Sequence, residues 1–368
     1  MTLPRYMPII VVMLFSFISL ASADWTMFRG DAMQTGYTKE TLPEKVEVLW
    51  KYTAKDAVES TAAIVDGKVI FGTGDGKVIC LNFSDGTEVW QYPVENGSFK
   101  ASPAVKDGLV YIGDGDGMFH CIEFATGKKR WTYSTNGEIV SSANFAGKGV
   151  LVGSWDEHLY YLTLDKGELI WKYSAGGPIN SSPAVVEDRT FVAGCDSNLH
   201  IVNLKDGTAV HQVPLNSQAG ATATVSGNLV LVGNMDRSFL AIDWRDGKVA
   251  WEYMPPRGLQ YYSSAAVGDG IVVVGNRDRK VHAINLKDGT EKWPPFPTRN
   301  RVDSSPVIAG NRVYVGSLDG NLYCLELQTG KKVWERTLGG RITASPAIAH
   351  GKLIIGTDDG VVYCLGAK

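Results

Sequence analysis

The chain carries no excess of basic charge: 36 Lys and Arg stand against 39 Asp and Glu, a formal balance of 36 − 39 = −3. That removes the broad positive field that holds nucleic acid through many phosphate contacts, and no nucleic-acid partner is expected. Cysteine is scarce, five in 368 residues, which excludes a small fold held by disulfides. Charged residues make up 20% against 44% hydrophobic, far from the composition of a disordered chain. Familiar catalytic signatures are missing: there is no His-Glu-x-x-His, no Gly-x-Ser-x-Gly and no phosphate-cradling Gly-x-x-x-x-Gly-Lys-Ser/Thr. Proline is modest at 15 while glycine reaches 41 and tryptophan 10, a mixture that favours many short, turn-punctuated strands over helices or a flexible linker.

Long apolar runs are limited to one. Arg5 precedes Ile9 to Leu20, and Ala21-Ser22-Ala23 follows with the small-x-small form of a signal-peptidase site. The run is about 12 residues, short of the roughly 20 that span a hydrocarbon core. The reading is a signal peptide over 1–23, cut between Ala23 and Asp24, with no transmembrane anchor after cleavage. No Cys lies near the cut to take a diacylglycerol, so a secreted or periplasmic monomer is expected.

The dominant positive signal is a period. Trp recurs at Trp50, Trp90, Trp131, Trp171, Trp251, Trp293 and Trp334, with His211 in the one gap. Asp75, Asp116, Asp156, Asp196, Asp236, Asp278, Asp319 and Asp359 form a second series, each three residues after a Gly except Asp196, which follows Ala193. Gly86, Gly127, Gly167, Gly207, Gly247, Gly289 and Gly330 form a third, eleven residues after the first seven of those Asp. Three phased series at about 40 residues mark a repeat architecture. Within one unit, Ser304 to Ile308, Arg312 to Gly316, Asn321 to Leu327 and Lys331 to Trp334 are β-rich runs joined by Gly-containing turns.

A four-stranded antiparallel sheet of that size cannot cover both its faces, so neighbouring units must cover each other. Eight of them in a ring make an all-β, eight-bladed propeller. The eighth unit stops at Lys368 before its own Trp strand, while residues 46–52 form an orphan strand carrying Trp50 in phase. That strand is expected to complete the last blade and close the ring. The domain reading is a signal peptide over 1–23, a lead-in over 24–45 and the propeller over 46–368.

The S-P-A opening, the x-V-Y-V-G-x-x-D-G-x-L-Y-C-L middle and the T-G-K-x-x-W ending resemble the pyrroloquinoline-quinone-type (PQQ-type) β-propeller repeat over about residues 46–366. That family includes quinone-dependent alcohol and glucose dehydrogenases and the propeller lipoprotein BamB of the outer-membrane barrel assembly machine. Asp24-Trp25-Thr26-Met27-Phe28-Arg29-Gly30-Asp31 looks like the lead-in found before such propellers. The adjacent Cys-Cys pair of the dehydrogenases is missing and the chain is much shorter than those enzymes. The resemblance therefore implies the fold and leaves the activity open.

Most repeated residues read as architecture. The Trp residues should fill the wedge between blades. The Asp residues should sit in the turn between second and third strands, and Thr61, Ser102, Ser142, Ser182, Thr222, Ser264, Ser305 and Ser345, each fourteen residues earlier, are expected to hydrogen-bond them. Cys80, Cys121, Cys324 and Cys364 share a register with Ile and Ala and should be buried free thiols, with Cys195 more exposed. His120, His200 and His282 lie on alternate blades, so they read as packing and no metal site is expected.

The irregular loops hold the candidate surface. Arg237, Arg257, Arg277, Arg279, Arg299 and Arg301 fall on connections that share the face of the Asp turns, with Tyr261 and Tyr262 beside them and Trp155 and His158 on the same face. Arg forks suit carboxylates and aromatic faces suit planar groups. The first functional expectation is a non-catalytic extracytoplasmic scaffold that binds another envelope or secreted protein, with no cofactor. The alternative is a PQQ-binding oxidoreductase or quinone sensor, with the quinone and calcium in the axial funnel near Trp155, Arg277 and Arg279.

Overall fold

Each repeat folds as its turn chemistry and alternation dictate, into an inner strand of about three residues followed by longer ones that walk outward. The computed structural model describes residues 24–95 and 97–368, and the expected signal peptide lies outside them. The first blade is typical: Ala63–Val65, Lys68–Gly72, Lys77–Asn82 and Glu88–Pro93 pair in that order, all antiparallel. Eight such sheets are present among the described residues. The three inner strands of a blade are buried and the outermost alternates, as expected when sheets stack face to face around an axis.

The eighth sheet is built from both ends of the chain. Strand β2, Glu47–Thr53, pairs antiparallel with Val361–Gly366, bringing Trp50 opposite Cys364. The expected closing strand is therefore in place, and the ring has no open seam.

The recurrent Trp lies on the outermost strand and reaches into the next blade. Trp50 Nε1 donates to the Phe83 carbonyl at 3.0 Å, Trp171 to Leu204 at 2.9 Å and Trp293 to Leu327 at 3.0 Å. Six of the seven indoles, all but Trp334, lie against the repeated glycine: a Cβ on Gly86, which also has φ +75°, would come within 2.6 Å of the Trp50 ring. That close approach explains why Gly recurs eleven residues after Asp. His211 imitates the arrangement, its Nε2 lying 3.3 Å from the Arg245 carbonyl.

The hydroxyl series does something other than expected. None of the eight bonds its Asp; each accepts the backbone N–H of its counterpart in the preceding blade. Thr61 N donates to Ser102 Oγ at 3.0 Å, Ser102 N to Ser142 Oγ at 2.9 Å, and so around to Ser345 N, which donates to Thr61 Oγ1 at 3.2 Å. The correction has a geometric reason. Inner strands converge on the axis, so the nearest partner of a residue at their start is the neighbouring blade, and one closed circuit joins all eight.

The lead-in is threaded across the channel. Trp25 exchanges two 2.8 Å backbone bonds with Ile64. Thr26, Ala32, Met33, Thr35 and Gly36 then accept from Val105, Val185, Val225, Val267 and Ile308, at the centres of successive inner strands. Asn144 Nδ2 donates to Ala32 O at 2.8 Å, and strand β1, Tyr37–Thr38, lies parallel on Val307–Ala309. Gly351 N reaches Glu40 Oε2 at 2.9 Å. The strap thus satisfies strand edges that would otherwise line the axis unpaired.

Candidate functional site

On the face of the Asp turns the axis opens into a bowl of about 560 Å³. Its lower wall is the hydroxyl circuit, and Phe28 of the strap contributes to its lining. Its upper wall comes from a single register of the repeat, the residue two places before each hydroxyl: Glu59, Lys100, Val140, Asn180, Gly220, Tyr262, Asp303 and Thr343. Three blades add the residue preceding the Asp, namely Trp155, Met235 and Arg277. The frame repeats while the lining differs at every blade, which gives the bowl its own chemical character on each side.

Arg277 is held rather than free. Its Nε and Nη2 donate to the two oxygens of Asp303 at 2.9 and 2.8 Å, and its guanidinium lies 3.5 Å from the centre of the Tyr262 ring. The carboxylate bonds raise its pKa further above the ordinary guanidinium value. Trp155 is 44% exposed and donates from Nε1 to Asn180 Oδ1 at 2.6 Å. Lys100 meets Glu138 at 3.1 Å. Glu59 has no ion pair among the described residues; burial, and then repulsion from Asp358, push its carboxyl above the usual range.

The remaining candidates lie outside the bowl. His158 starts a third strand, with Nδ1 2.7 Å from the Asp156 carbonyl. Arg237, Arg257, Arg279, Arg299 and Arg301 are exposed and do not line it, and Arg299 approaches Glu335 at 3.7 Å. Arg237 and Arg279 adopt φ of 59° and 68° at a turn position where other blades have Gly76, Gly117, Gly320 and Gly360. Tyr261 is a correction. It is 0% exposed, packed edge-on to Phe239 at 5.5 Å, and belongs to the core between two blades, so it cannot present a binding surface. The residue before a bowl-facing Tyr262 on an extended chain must point the other way.

The repeated Asp residues stay with their turns. Asp319 Oδ1 accepts Asn321 N at 2.9 Å, and Asp156 Oδ1 accepts His158 N at 3.2 Å. Two also orient buried side chains across the blade interface. His200 Nε2 lies 2.9 Å from Asp196 while its Nδ1 meets Tyr173 of the previous blade at 2.9 Å, and His282 repeats this with Asp278 and Tyr253. His120 uses Asp114 instead, at 2.7 Å. Sequence spacing missed these interface triads because Asp and His are four apart on one strand, while the Tyr comes from the blade before. Among the described residues no cluster of His, Cys, Asp or Glu could hold a metal ion.

A family model described as outer membrane protein assembly factor BamB matches residues 43–181, 95–224 and 156–368. BamB from Moraxella catarrhalis superposes with a TM-score of 0.75 at 17% identity, over 88% of this chain and 100% of that one. Quinohemoprotein alcohol dehydrogenase from Comamonas testosteroni gives 0.82 at 14% identity, over 94% and 81%. A europium-containing methanol dehydrogenase gives 0.78 at 13%, over 94% and 98%. At such identities these likenesses establish the fold alone. No curated protein sequence matches the chain.

Proposed function

This chain belongs to the PQQ-type β-propeller family described as outer membrane protein assembly factor BamB, and we propose that within that fold it is a non-catalytic interaction scaffold working outside the cytoplasm. Its axial bowl receives a loop or strand of another envelope or secreted protein. The observation that carries this reading is the contrast between a frame held by eight repeated hydroxyl bonds and a lining that changes at every blade. The half-exposed Trp155 and the Tyr262 ring beneath Arg277 offer flat apolar area at low entropic cost, the kind of surface on which partner side chains anchor. The small-x-small site after the single apolar run supports delivery across a membrane. No helix among the described residues is long and apolar enough to cross one.

The quinone alternative fits these residues poorly. Pyrroloquinoline quinone is a planar polycarboxylate, whereas Arg277 is committed to Asp303, Lys100 to Glu138, and Glu59 adds a further carboxyl group to the lining. The test is a calorimetric titration of the purified protein with the quinone, with and without calcium, beside a photo-cross-linking residue at position 155 in the native envelope. The scaffold reading expects no quinone heat and one cross-linked protein whose capture falls with Tyr262→Ala. Micromolar quinone binding abolished by Arg277→Ala would overturn it.

A further inference from the structure

The place where the ring closes is paired along its strands but lacks one turn. At six interfaces a Trp is covered by the turn between the third and fourth strands of the next blade, and that turn has one form. The carbonyl of Phe83, Phe124, Leu164, Leu204, Leu286 or Leu327 accepts the indole N–H, and the glycine follows three residues later. In the eighth blade the third and fourth strands, Val361–Gly366 and Glu47–Thr53, come from opposite ends of the chain, and no turn joins them. Trp334 of the seventh blade is left without that cover. Its Nε1 has no hydrogen bond among the described residues, and its ring lines two pockets of about 260 and 190 Å³.

Both ends of the missing turn carry the wrong residue for covering an indole. Ala367, eight residues after Asp359, stands where six other blades have Phe or Leu, and Val46, four residues before Trp50, stands where they have glycine. A Cβ on those glycines would come within 2.5 to 2.7 Å of the indole. A backbone that bears the Val46 side chain must therefore stand off the ring, which leaves the larger pocket between Trp334 and the start of the closing strand. Leu42, Pro43, Tyr314, Val333 and Trp334 give the smaller pocket an apolar wall, and Arg312 also lines it. Phe83 shows what that register receives: Lys352 Nζ lies 4.7 Å from the centre of its ring, and Arg312 is the counterpart of Lys352 in the blade before. The two pockets are continuous with the interface between the seventh and eighth blades, and the six covered indoles define what fits them.

We propose that this notch docks an exposed turn of another protein, of the form Phe or Leu, two residues, then glycine. The apolar side chain enters the smaller pocket, the glycine lets the turn lie against the Trp334 ring, and a carbonyl of the turn accepts the indole N–H. In an antiparallel blade the third-to-fourth turn lies at the other end of the strands from the Asp turn, so the notch opens on the face away from the bowl. It stands apart from whatever the bowl receives.

The probe is a disulfide-cyclised peptide copying residues 325–332, the turn that covers Trp293, titrated into protein labelled with nitrogen-15 at its indoles. The Trp334 resonance, assigned from Trp334→Phe, should be the one that moves, saturating at roughly 0.1–1 mM peptide. Leu327→Ala in the peptide should weaken binding roughly tenfold, and Gly330→Val should abolish it. In the protein, Trp334→Phe keeps a ring but removes the N–H and should weaken binding roughly fivefold by calorimetry, while Trp131→Phe, at a covered interface, should change nothing. Ala367→Leu fills the apolar slot from within and should block the peptide, which keeps the test open if Trp334→Phe fails to fold. No movement of the Trp334 resonance at several millimolar peptide, or binding indifferent to Gly330→Val or Ala367→Leu, overturns the proposal. A shift that grows with protein concentration alone overturns it too, and assigns the notch to a second copy of this chain.

Discussion

His211 and Trp244 make a test of how the blades are held together. Position 211 is the one place in the series where Trp is absent, and position 244 is where the other blades have Phe83, Phe124, Leu164, Leu204, Leu286 or Leu327. The large residue has moved across the interface between the fourth and fifth blades: Trp244 is 7% exposed, packs edge-on to Phe191 at 5.8 Å and donates from Nε1 to Gly227 O at 3.0 Å. Restoring only the common outer residue, His211→Trp, overfills a closed interface and should cost about 1–3 kcal/mol. Trp244→Leu alone loses buried volume, a hydrogen bond and an aromatic pair, together about 3–4 kcal/mol. The double variant recreates the arrangement of the other interfaces, where an indole packs beside Leu and donates to the following turn. It should lie within about 1 kcal/mol of wild type. Urea unfolding of the four proteins measures the coupling directly, and we expect it to be favourable by at least about 3 kcal/mol. Additivity within about 0.5 kcal/mol would refute the exchange and mean that the two positions adapt separately.

Deleting residues 46–52 removes the partner of Val361–Gly366 and the indole that covers Gly86; the loss should extend beyond the eighth blade and abolish cooperative unfolding, whereas a clean transition with a slightly lower midpoint would show that closure is dispensable. Ser182→Ala leaves the Ser142 N–H buried without its 3.0 Å partner and should cost about 1–3 kcal/mol by thermal or urea unfolding, with Ser182→Thr restoring most of it. Burial pushes the thiols of Cys80, Cys121, Cys324 and Cys364 up to about 12. Titration with an aromatic disulfide reagent at pH 8 should therefore find Cys195 alone in the native protein and all five in urea, and rapid native reaction of more than one would contradict the packing.

Much of the fold was legible because a repeat writes each structural requirement several times. Trp in the wedge between blades, Asp in its turn and the strand that closes the ring all follow from phase alone, whereas the packing of the indole on Gly does not. The hydroxyl series was equally visible, but its partner was misassigned: position along one blade says nothing about which group the neighbouring blade presents. The lining of the bowl was missed for a different reason. Glu59, Lys100, Asn180 and Asp303 show no pattern, and the usable signal was that very disagreement, at one register, among repeats that otherwise concur. The Arg residues were singled out by charge, whereas the packing ties up Arg277 and leaves the others on exposed turns. Arg29 carried no sequence signal of burial, since a charged residue beside Gly and Asp reads as a surface turn.

The way the two ends meet also sets a timetable. Residues 24–38 bond inner strands spread from Ile64 to Gly310, and Glu47–Thr53 pairs with Val361–Gly366. A polypeptide is made from its amino terminus, so the segments produced first are the last to find their places. At the roughly 5–20 residues per second of synthesis, they wait on the order of tens of seconds for the final strand. Throughout that interval the closing strand lacks its ladder, and the strap lacks the later inner strands that it bonds. Whatever escorts this chain must hold its beginning until its end arrives.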